Sequence, residues 1–596
     1  MRPKILVHSD DPAGATGYSR QARNILTRLA AHADIAVIGV NRADESPERP
    51  FTIADRLPFK VYRANIEGKP NDPEGRQLLM SIAPRINPDV MLFIGDVWTL
   101  SSWACDWLEQ WQISTNIQTI GYLSTEYPLT DADRRFIGLL DYPITHSRWG
   151  LGFENGGGFE PVRDVTDRAR YIPDTVDPDI FFPLSEDQRA QHRQQVGWAD
   201  KFVIMNVNRN TDRKDLAATI RAFARAKKEI PNAHLYLHTA PKDTWHDGQS
   251  IDLRLTCQAQ DLLVPEDVSF PANFTPHFGY PPDILNCVYN AADLVISTSV
   301  SEGFGVTPLE ALFCERPVLI PGHTGFSNLC EAVGLIPVRS YQTTRERVAP
   351  TPVHAIDEDD LVNRIVAAYE ARQSPPARLE LNRQAMKAVE LFSANAVFAR
   401  DWLPIVQEIS NPPPKIQAVL WAQESSAGDV LLSTSALPGL IQRHPDRPIH
   451  YMTRKPYHDL VTDHPLIAQV VDWRPVLLHR YETFYAPHLL QIQRGNWGAG
   501  HVPLAKLYPA LCRVPYVKPT ISESPLPEGL VPPEILEGPY LVVHTTSHPY
   551  RNYYRFHEVL KGALMPVIQI GAETDIPLGE SQQAGRKILT NITTNQ

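Results

Sequence analysis

The sequence predicts an α/β chain: two Rossmann-like units in series, with a third Rossmann-like α/β region behind them. Three observations predict it. Short apolar runs of strand length alternate with runs of helical period through the first 410 residues. The alternation restarts near Lys201 with a strand of buried type. The run Asn411-Pro412-Pro413-Pro414 then interrupts it, because three consecutive prolines cannot continue a helix and favour an extended spacer.

The elements follow in order. Lys4–His8 is the first expected strand, followed by a glycine-bearing turn and a helix from Ser19 to Ala31. Strands at Ile35–Val40, Val90–Ile94, Asn116–Tyr122 and Tyr142–Thr145 complete the first unit. In the second, Phe202–Val207 is a strand, and Leu216, Ile220 and Phe223 fall at helical spacing just after it. His234–His238, Leu294–Ser297 and Pro317–Ile320 are its further strands. Beyond the prolines, Ile416–Trp421, Ile449–Met452, Val470–Asp472, Tyr540–His544 and Pro566–Ile570 continue the pattern. The expected boundaries are therefore 1–170, 171–395, a helix at 396–410, a linker at 411–415 and a last region at 416–596. Two such units facing each other across a cleft make a natural ligand site.

Composition narrows the function classes. A chain of 596 residues is too long for one ordinary domain, and 43% hydrophobic with 21% charged residues is globular. A net charge of −11 does not indicate a basic nucleic-acid surface. The six cysteines include no CxxC pair and read as buried free thiols of a reducing compartment. Met1-Arg2-Pro3-Lys4 runs straight into Ile5-Leu6-Val7 without a long apolar signal core. No apolar run reaches the length of about 18 residues that a membrane span needs. A cytoplasmic location is expected. The histidines show no HExxH spacing. Asp131-Ala132-Asp133 and Asp177-Pro178-Asp179 fit a DxD pattern, but the first reads as carboxylates at a helix start. No metal is expected. Trp103, Trp107 and Trp111 share one helix face and read as core.

The most informative segment is Ser301-Glu302-Gly303-Phe304-Gly305-Val306-Thr307-Pro308-Leu309-Glu310. A strand leads into it. Gly303 and Gly305 allow close approach of the backbone to a ligand. Thr307, Pro308 and Glu310 read as N-cap, N1 and N3 of a helix with a capping box. On that reading Glu310 serves its own helix and Glu302 is a loop carboxylate.

The two glutamates, separated by seven residues, resemble the EX7E signature of retaining GT-B glycosyltransferases, especially family 4. Asn290-Ala291-Ala292-Asp293 upstream and Arg316-Pro317-Val318 downstream match the same pattern. Ile172-Pro173-Asp174-Thr175-Val176-Asp177 resembles the family's interdomain segment, with Asp174-Thr175 in place of its usual Asn/His-Gly. The resemblance covers roughly residues 1–405. It implies a GT-B fold and transfer from a nucleotide-sugar donor. Glu310 would hold the donor ribose hydroxyls, and Glu302 would lie beside the transferred sugar. The backbone of Phe304, Gly305 and Val306 would face the diphosphate and sugar, with Gly303 and Thr307 in the same donor-binding set. Arg209 and Lys214 resemble the family's basic pair on the leaving phosphates; two cations on a strand-to-helix loop suit phosphate binding. Gly17, in the loop Gly14–Tyr18, is the candidate for close approach from the first unit, flanked by Asp10 and Asp11. Glu126 stands where the family often carries His or Asp near the reacting carbon, and Arg148 is a further candidate. No cofactor is implied, the nucleotide-sugar being a substrate.

In the last region, residues 427–437 together with His444-Pro445 resemble heptosyltransferases, glycosyltransferase family 9. Tyr540–His544, with Tyr550 and Arg551, resembles that family's second domain. Asp429 matches the Asp proposed there as general base, a possible second site. The region is short for such an enzyme and reads as an incomplete accessory. The leading function is therefore sugar transfer from a UDP- or GDP-sugar, with retention and without metal, to a carbohydrate, lipid-linked or nucleic-acid acceptor. Two alternatives stand beside it: a phage-type enzyme that glycosylates a nucleic-acid base, and a non-catalytic sugar- or nucleotide-binding scaffold.

Overall fold

The computed structural model describes residues 2–40, 57–64, 72–125, 128–152, 162–242, 250–272, 279–346, 350–424, 429–430 and 433–487, and the strands 541–544, 567–571 and 588–593. The chain divides into two compact units, residues 1–420 with 473–484, and residues 421–472 with 485–596.

The first unit holds two parallel sheets. One comprises β1 (Lys4–Asp10), β2 (Asp34–Val40), β3 (Lys60–Arg63), β4 (Val90–Asp96), β5 (Gln118–Ser124), β6 (Tyr142–Thr145) and β7 (Arg170–Tyr171), ordered β3-β2-β1-β4-β5-β6-β7. Its strands are nearly unbroken apolar runs because helices cover both faces. Leu6, Ile38, Met91 and Phe93 pack on one side, and Ile5, Val7, Ile25 and Leu26 on the other. Trp103 is buried in the first of these cores, with Trp107 and Trp111 packed against it. Thr130 caps the helix Asp131–Leu139 in a reciprocal box with Asp133, which accounts for the first DxD match. Strand β3 escapes sequence reading because it is a short, half-exposed edge without an apolar run.

The second sheet comprises β8 (Phe202–Asn206), β9 (Ala233–Leu237), β10 (Val268–Ser269), β11 (Leu294–Ile296) and β12 (Val318–Leu319), ordered β10-β9-β8-β11-β12. In both sheets the chain order reverses beside the first strand of the set, at β1/β4 and at β8/β11. Ligands of open α/β sheets sit beyond the carboxyl ends of the strands at such points.

Two crossings join the domains. Val176 and Ser393 pair in parallel, with Val176 N–H on the Phe392 carbonyl (3.1 Å) and Ala394 N–H on the Val176 carbonyl (2.9 Å). The chain then returns to the first sheet, where Trp402, Ile405, Val406 and Ile409 join the core of Ile5 and Val7. Where the family pattern has Asn/His-Gly, Asp174 accepts from the Tyr122 hydroxyl (2.8 Å). Thr175 exchanges hydrogen bonds with the Gln21 amide (2.8 and 2.9 Å). The departure thus ties the crossing strand to the first domain.

Residues 411–415 are exposed and without regular structure. Ile416–Ala422 and Tyr481–Tyr485 are strands, and in the second unit Ile449–Thr453 and Gln469–Asp472 pair in parallel. Within the second unit, Trp421 and Tyr451 are buried and share the Ser433 hydroxyl (3.1 and 2.6 Å). A separate parallel sheet joins 541–544, 567–571 and 588–593. Cys105, Cys257, Cys314 and Cys330 are buried free thiols and Cys287 is half-buried; Cys512 lies outside the described residues. No helix among the described residues is long and apolar enough to cross a membrane.

Candidate active site

Strand β8 ends in a run of buried asparagines that fixes the loop behind it. Asn206 donates to the Thr219 hydroxyl (2.9 Å), Asn208 to Asn206 (2.7 Å) and Asn210 to the Ile251 carbonyl (2.7 Å). A short 3-10 turn, Asp212–Lys214, then precedes the helix Leu216–Ala226, with Asp215 at the N-cap. The turn delivers two cations to Glu302. The Lys214 ammonium contacts Oε1 of Glu302, and the Arg213 guanidinium lies 3.2 Å from Oε2 while donating to the Ser301 carbonyl (2.7 Å). Burial alone would raise the Glu302 carboxyl, but Lys214 and then Arg213 override it and bring it down to about 2. Arg213 was invisible in the sequence pattern, which selected Arg209 and Lys214. Arg209 is exposed on the same loop, and Arg213 is the second cation on the carboxylate.

The backbone of Glu302 is clamped as well. Its N–H donates to the Thr324 hydroxyl (3.0 Å), and its carbonyl accepts from the Gly325 N–H (2.9 Å). Thr324 holds φ 47° and ψ −137°, a strained conformation for a β-branched residue. Gly325 is obligatory, because a Cβ there would stand 2.3 Å from the Gly303 carbonyl oxygen. Thr324→Val, which keeps the shape and removes the hydroxyl, leaves a buried N–H without its acceptor. It is expected to cost about 1–3 kcal/mol and to lower turnover, whereas Thr324→Ser retains both; thermal melts and initial rates check this.

The expected capping box is not formed. The helix runs Val306–Phe313 with Gly305, at φ 113°, as its N-cap, and no side chain caps it. Left-handed Gly305 lets the chain enter the helix before Thr307, so Thr307 and Pro308 fall in the first turn. Glu310 is thereby released from capping. It is buried, accepts from the Tyr289 hydroxyl (2.8 Å) and lies 3.2 Å from Arg20 of the first helix. Gly303, Val306 and Thr307 are half-buried along the same edge. The Phe304 side chain points away into the core against Phe392.

On the first domain, Thr16 caps the helix Gly17–Leu29 and donates to Asp10 (2.5 Å). A Cβ on Gly17 would meet nothing within 4 Å, whereas one on Gly14 would strike the Ser19 hydroxyl at 2.5 Å. Gly14 is needed for packing, and Gly17 opens on free space. Asp11 is committed to Arg63 (2.7 Å). Arg148 lies over the Tyr171 ring, 5.9 Å from its centroid. Glu126, Tyr550 and Arg551 lie outside the described residues. Asp429 is half-buried in the second unit, and its charge reaches the Tyr451 hydroxyl. Among the described residues, no group of three His, Cys, Asp or Glu stands where it could hold a metal ion.

Solved structures share the fold of the first unit. Sucrose-phosphate synthase of Thermosynechococcus elongatus superposes with a TM-score of 0.52 at 17% identity, over 69% of this chain and 100% of that one. The fold is GT-B. HepE of Anabaena, crystallised with UDP and glucose, superposes with a TM-score of 0.50 at 16% identity, over 68% of this chain and all of its own. Residues 188–332, which carry Arg213, Lys214, Glu302 and Glu310, match the family described as glycosyl transferases group 1. Mannosylfructose-phosphate synthase of Agrobacterium fabrum is 29% identical over 155 residues, 26% of this chain and 32% of that one. The chain thus spans about a third of that relative's length. In GT-B terms the Glu302 cluster lies at the β8/β11 reversal of the second domain, and Gly17 at the carboxyl end of β1 in the first.

The Glu302 cluster predicts a pH dependence. With its carboxyl at about 2 in the folded chain against an ordinary 4.5, ionised Glu302 stabilises the fold fully above 4.5. That contribution is lost as pH falls from 4.5 toward 2. Glu302→Gln is expected to flatten this part of the acid limb, read as the melting temperature between about pH 5 and 3.

Proposed function

We propose that residues 1–410 transfer a sugar from a UDP- or GDP-sugar to a hydroxyl acceptor, with retention and without metal. The carrying observation is the Lys214–Glu302–Arg213 cluster at the strand-order reversal of the second sheet. Lys214 and Arg213 stabilise the diphosphate as it leaves, the task such cations perform best in a site that excludes water. Glu302 aims both cations and lies next to the anomeric carbon. Glu310 receives the ribose hydroxyls, and the N-termini of the helices Gly17–Leu29 and Val306–Phe313 favour the phosphates. Glu126 orients the acceptor. In the chemical step the bond from the anomeric carbon to the phosphate oxygen breaks. The acceptor oxygen bonds the same face of that carbon, and its proton passes to the departing phosphate oxygen. Nothing else is consumed. The second unit is an accessory for acceptor binding, with the half-buried Asp429 as its candidate side chain.

The UDP held by the similarly folded HepE supports the choice of donor. A thermal-shift screen of the full chain with UDP, GDP, ADP and their sugars tests it. One nucleotide class should raise the melting temperature by mass action, and a flat response to all of them contradicts the reading.

A further inference from the structure

Glu310, the carboxylate read above as the ribose holder, is already occupied. Its side chain is 1% exposed, between the Tyr289 hydroxyl on its own domain and Arg20 from the other. Arg23, one turn further along the first helix, is half-buried and donates through Nη1 to the Pro12 carbonyl (2.9 Å). Arg20 meets Glu310 through Nε at 3.2 Å without hydrogen-bond geometry, and the Nε–H of Arg23 is buried without a hydrogen-bond partner among the described residues.

Arg20 and Arg23 both act on Glu310. Arg20, Arg23 and Arg28 meet Glu310 and Asp177, and Asp177 is engaged by Arg28 at 3.1 Å. His238 lies within reach of Arg20 and adds no charge, because burial and then Arg20 hold its imidazole down to about 3. Tyr289 is kept a neutral phenol by burial and by Glu310. Burial and the neighbouring Arg20 bring Arg23 down to about 10, which still leaves it charged at neutral pH. Arg20 therefore shares the single carboxylate Glu310 with the charge of Arg23, and it stands in the first turn of the helix Gly17–Leu29, where the helix dipole is positive. A guanidinium beside the positive end of a helix favours an anion.

We propose that Arg20 works in two positions: it covers Glu310 while the cleft is empty, and turns to the donor's diphosphate when ribose hydroxyls take Glu310. The proposal rests on the donor reading of the site. A nucleoside without phosphate must displace Arg20 and offers it nothing in return. A nucleoside diphosphate supplies the replacement partner, a charge-assisted bond from a guanidinium. Discrimination between the two then arises before any chemistry, from a residue of the first domain, outside the segment that matches the glycosyl transferases group 1 family.

Calorimetric titration of the full chain with uridine, guanosine, UDP and GDP tests this, on wild type, Arg20→Met and Arg20→Lys. Arg20→Met should tighten nucleoside binding severalfold and weaken diphosphate binding, so that the diphosphate-to-nucleoside affinity ratio falls by about 10-fold or more. Arg20→Lys, which keeps the charge and guards against misfolding of the methionine variant, should recover part of the ratio. Equal changes for nucleoside and diphosphate, or no change in either, overturn the two-position role and leave the donor reading standing. A wild-type chain that binds neither UDP nor GDP overturns both.

Discussion

Lys214→Met is expected to reduce sugar transfer by about 10²–10³-fold with little change in the acceptor KM. Lys214 is the closer of the two cations on Glu302, and its position is fixed twice over. The Thr298 hydroxyl donates to the Lys214 and Asp215 carbonyls (3.1 and 2.8 Å), holding the turn from below. Glu302 holds the ammonium from above. The substitution removes charge where the leaving diphosphate develops it, so the loss belongs in kcat. It also leaves Glu302 with Arg213 as its cation, and breaking one arm of a largely buried pair costs about 3 kcal/mol. Initial rates at saturating donor, measured below the onset of melting, separate the two effects. A variant that melts early and yet turns over at the wild-type rate would assign Lys214 a structural role alone.

Asp293→Ala is expected to be the most destabilising single change, by about 3–5 kcal/mol, with nucleotide binding preserved below the melting temperature. Asp293 accepts from Arg189 (2.6 Å), Arg193 (2.9 Å) and the Val203 N–H (2.8 Å) at the entrance to β11. Arg193 is 8% exposed, and its other contacts are the carbonyls of Ala291, Trp198 and Lys201. Without the carboxylate a guanidinium remains buried among dipoles alone. This pin lies at the amino end of the strand, opposite the ligand end, so stability and binding should separate. Differential scanning calorimetry with nucleotide titration at low temperature reads both. Coupled loss of binding at a temperature where the variant is folded would contradict the separation.

The contrast between these residues shows what a sequence can carry. Asn290-Ala291-Ala292-Asp293 and the Glu302–Glu310 spacing were both visible as patterns, but the pattern does not say which carboxylate holds the fold. Only the placement of Asp293 at a strand's beginning and of Glu302 at a strand's end divides them. The strands were legible from their apolar runs, since buried parallel strands leave little else. β3 was not, for lack of such a run. Lys214 was legible and Arg213 was not, because two adjacent cations look alike until a 3-10 turn aims them. Thr307–Glu310 looked like a capping box, and Gly305, in a conformation that residue type alone cannot announce, displaced it. Thr324 and Arg20 gave no signal. One acts through a backbone angle, the other through a partner at the far side of a cleft.

The central claim is that Lys214, Arg213 and Glu302 drive departure of a nucleoside diphosphate from a sugar. Release of UDP or GDP from the corresponding sugar nucleotides tests it most directly, with the full chain compared with Lys214→Met under identical folded conditions. The account predicts diphosphate release by the wild-type chain, falling by at least about 100-fold in the variant. Equal release by both proteins, or none by the wild type with any UDP- or GDP-sugar, would contradict it.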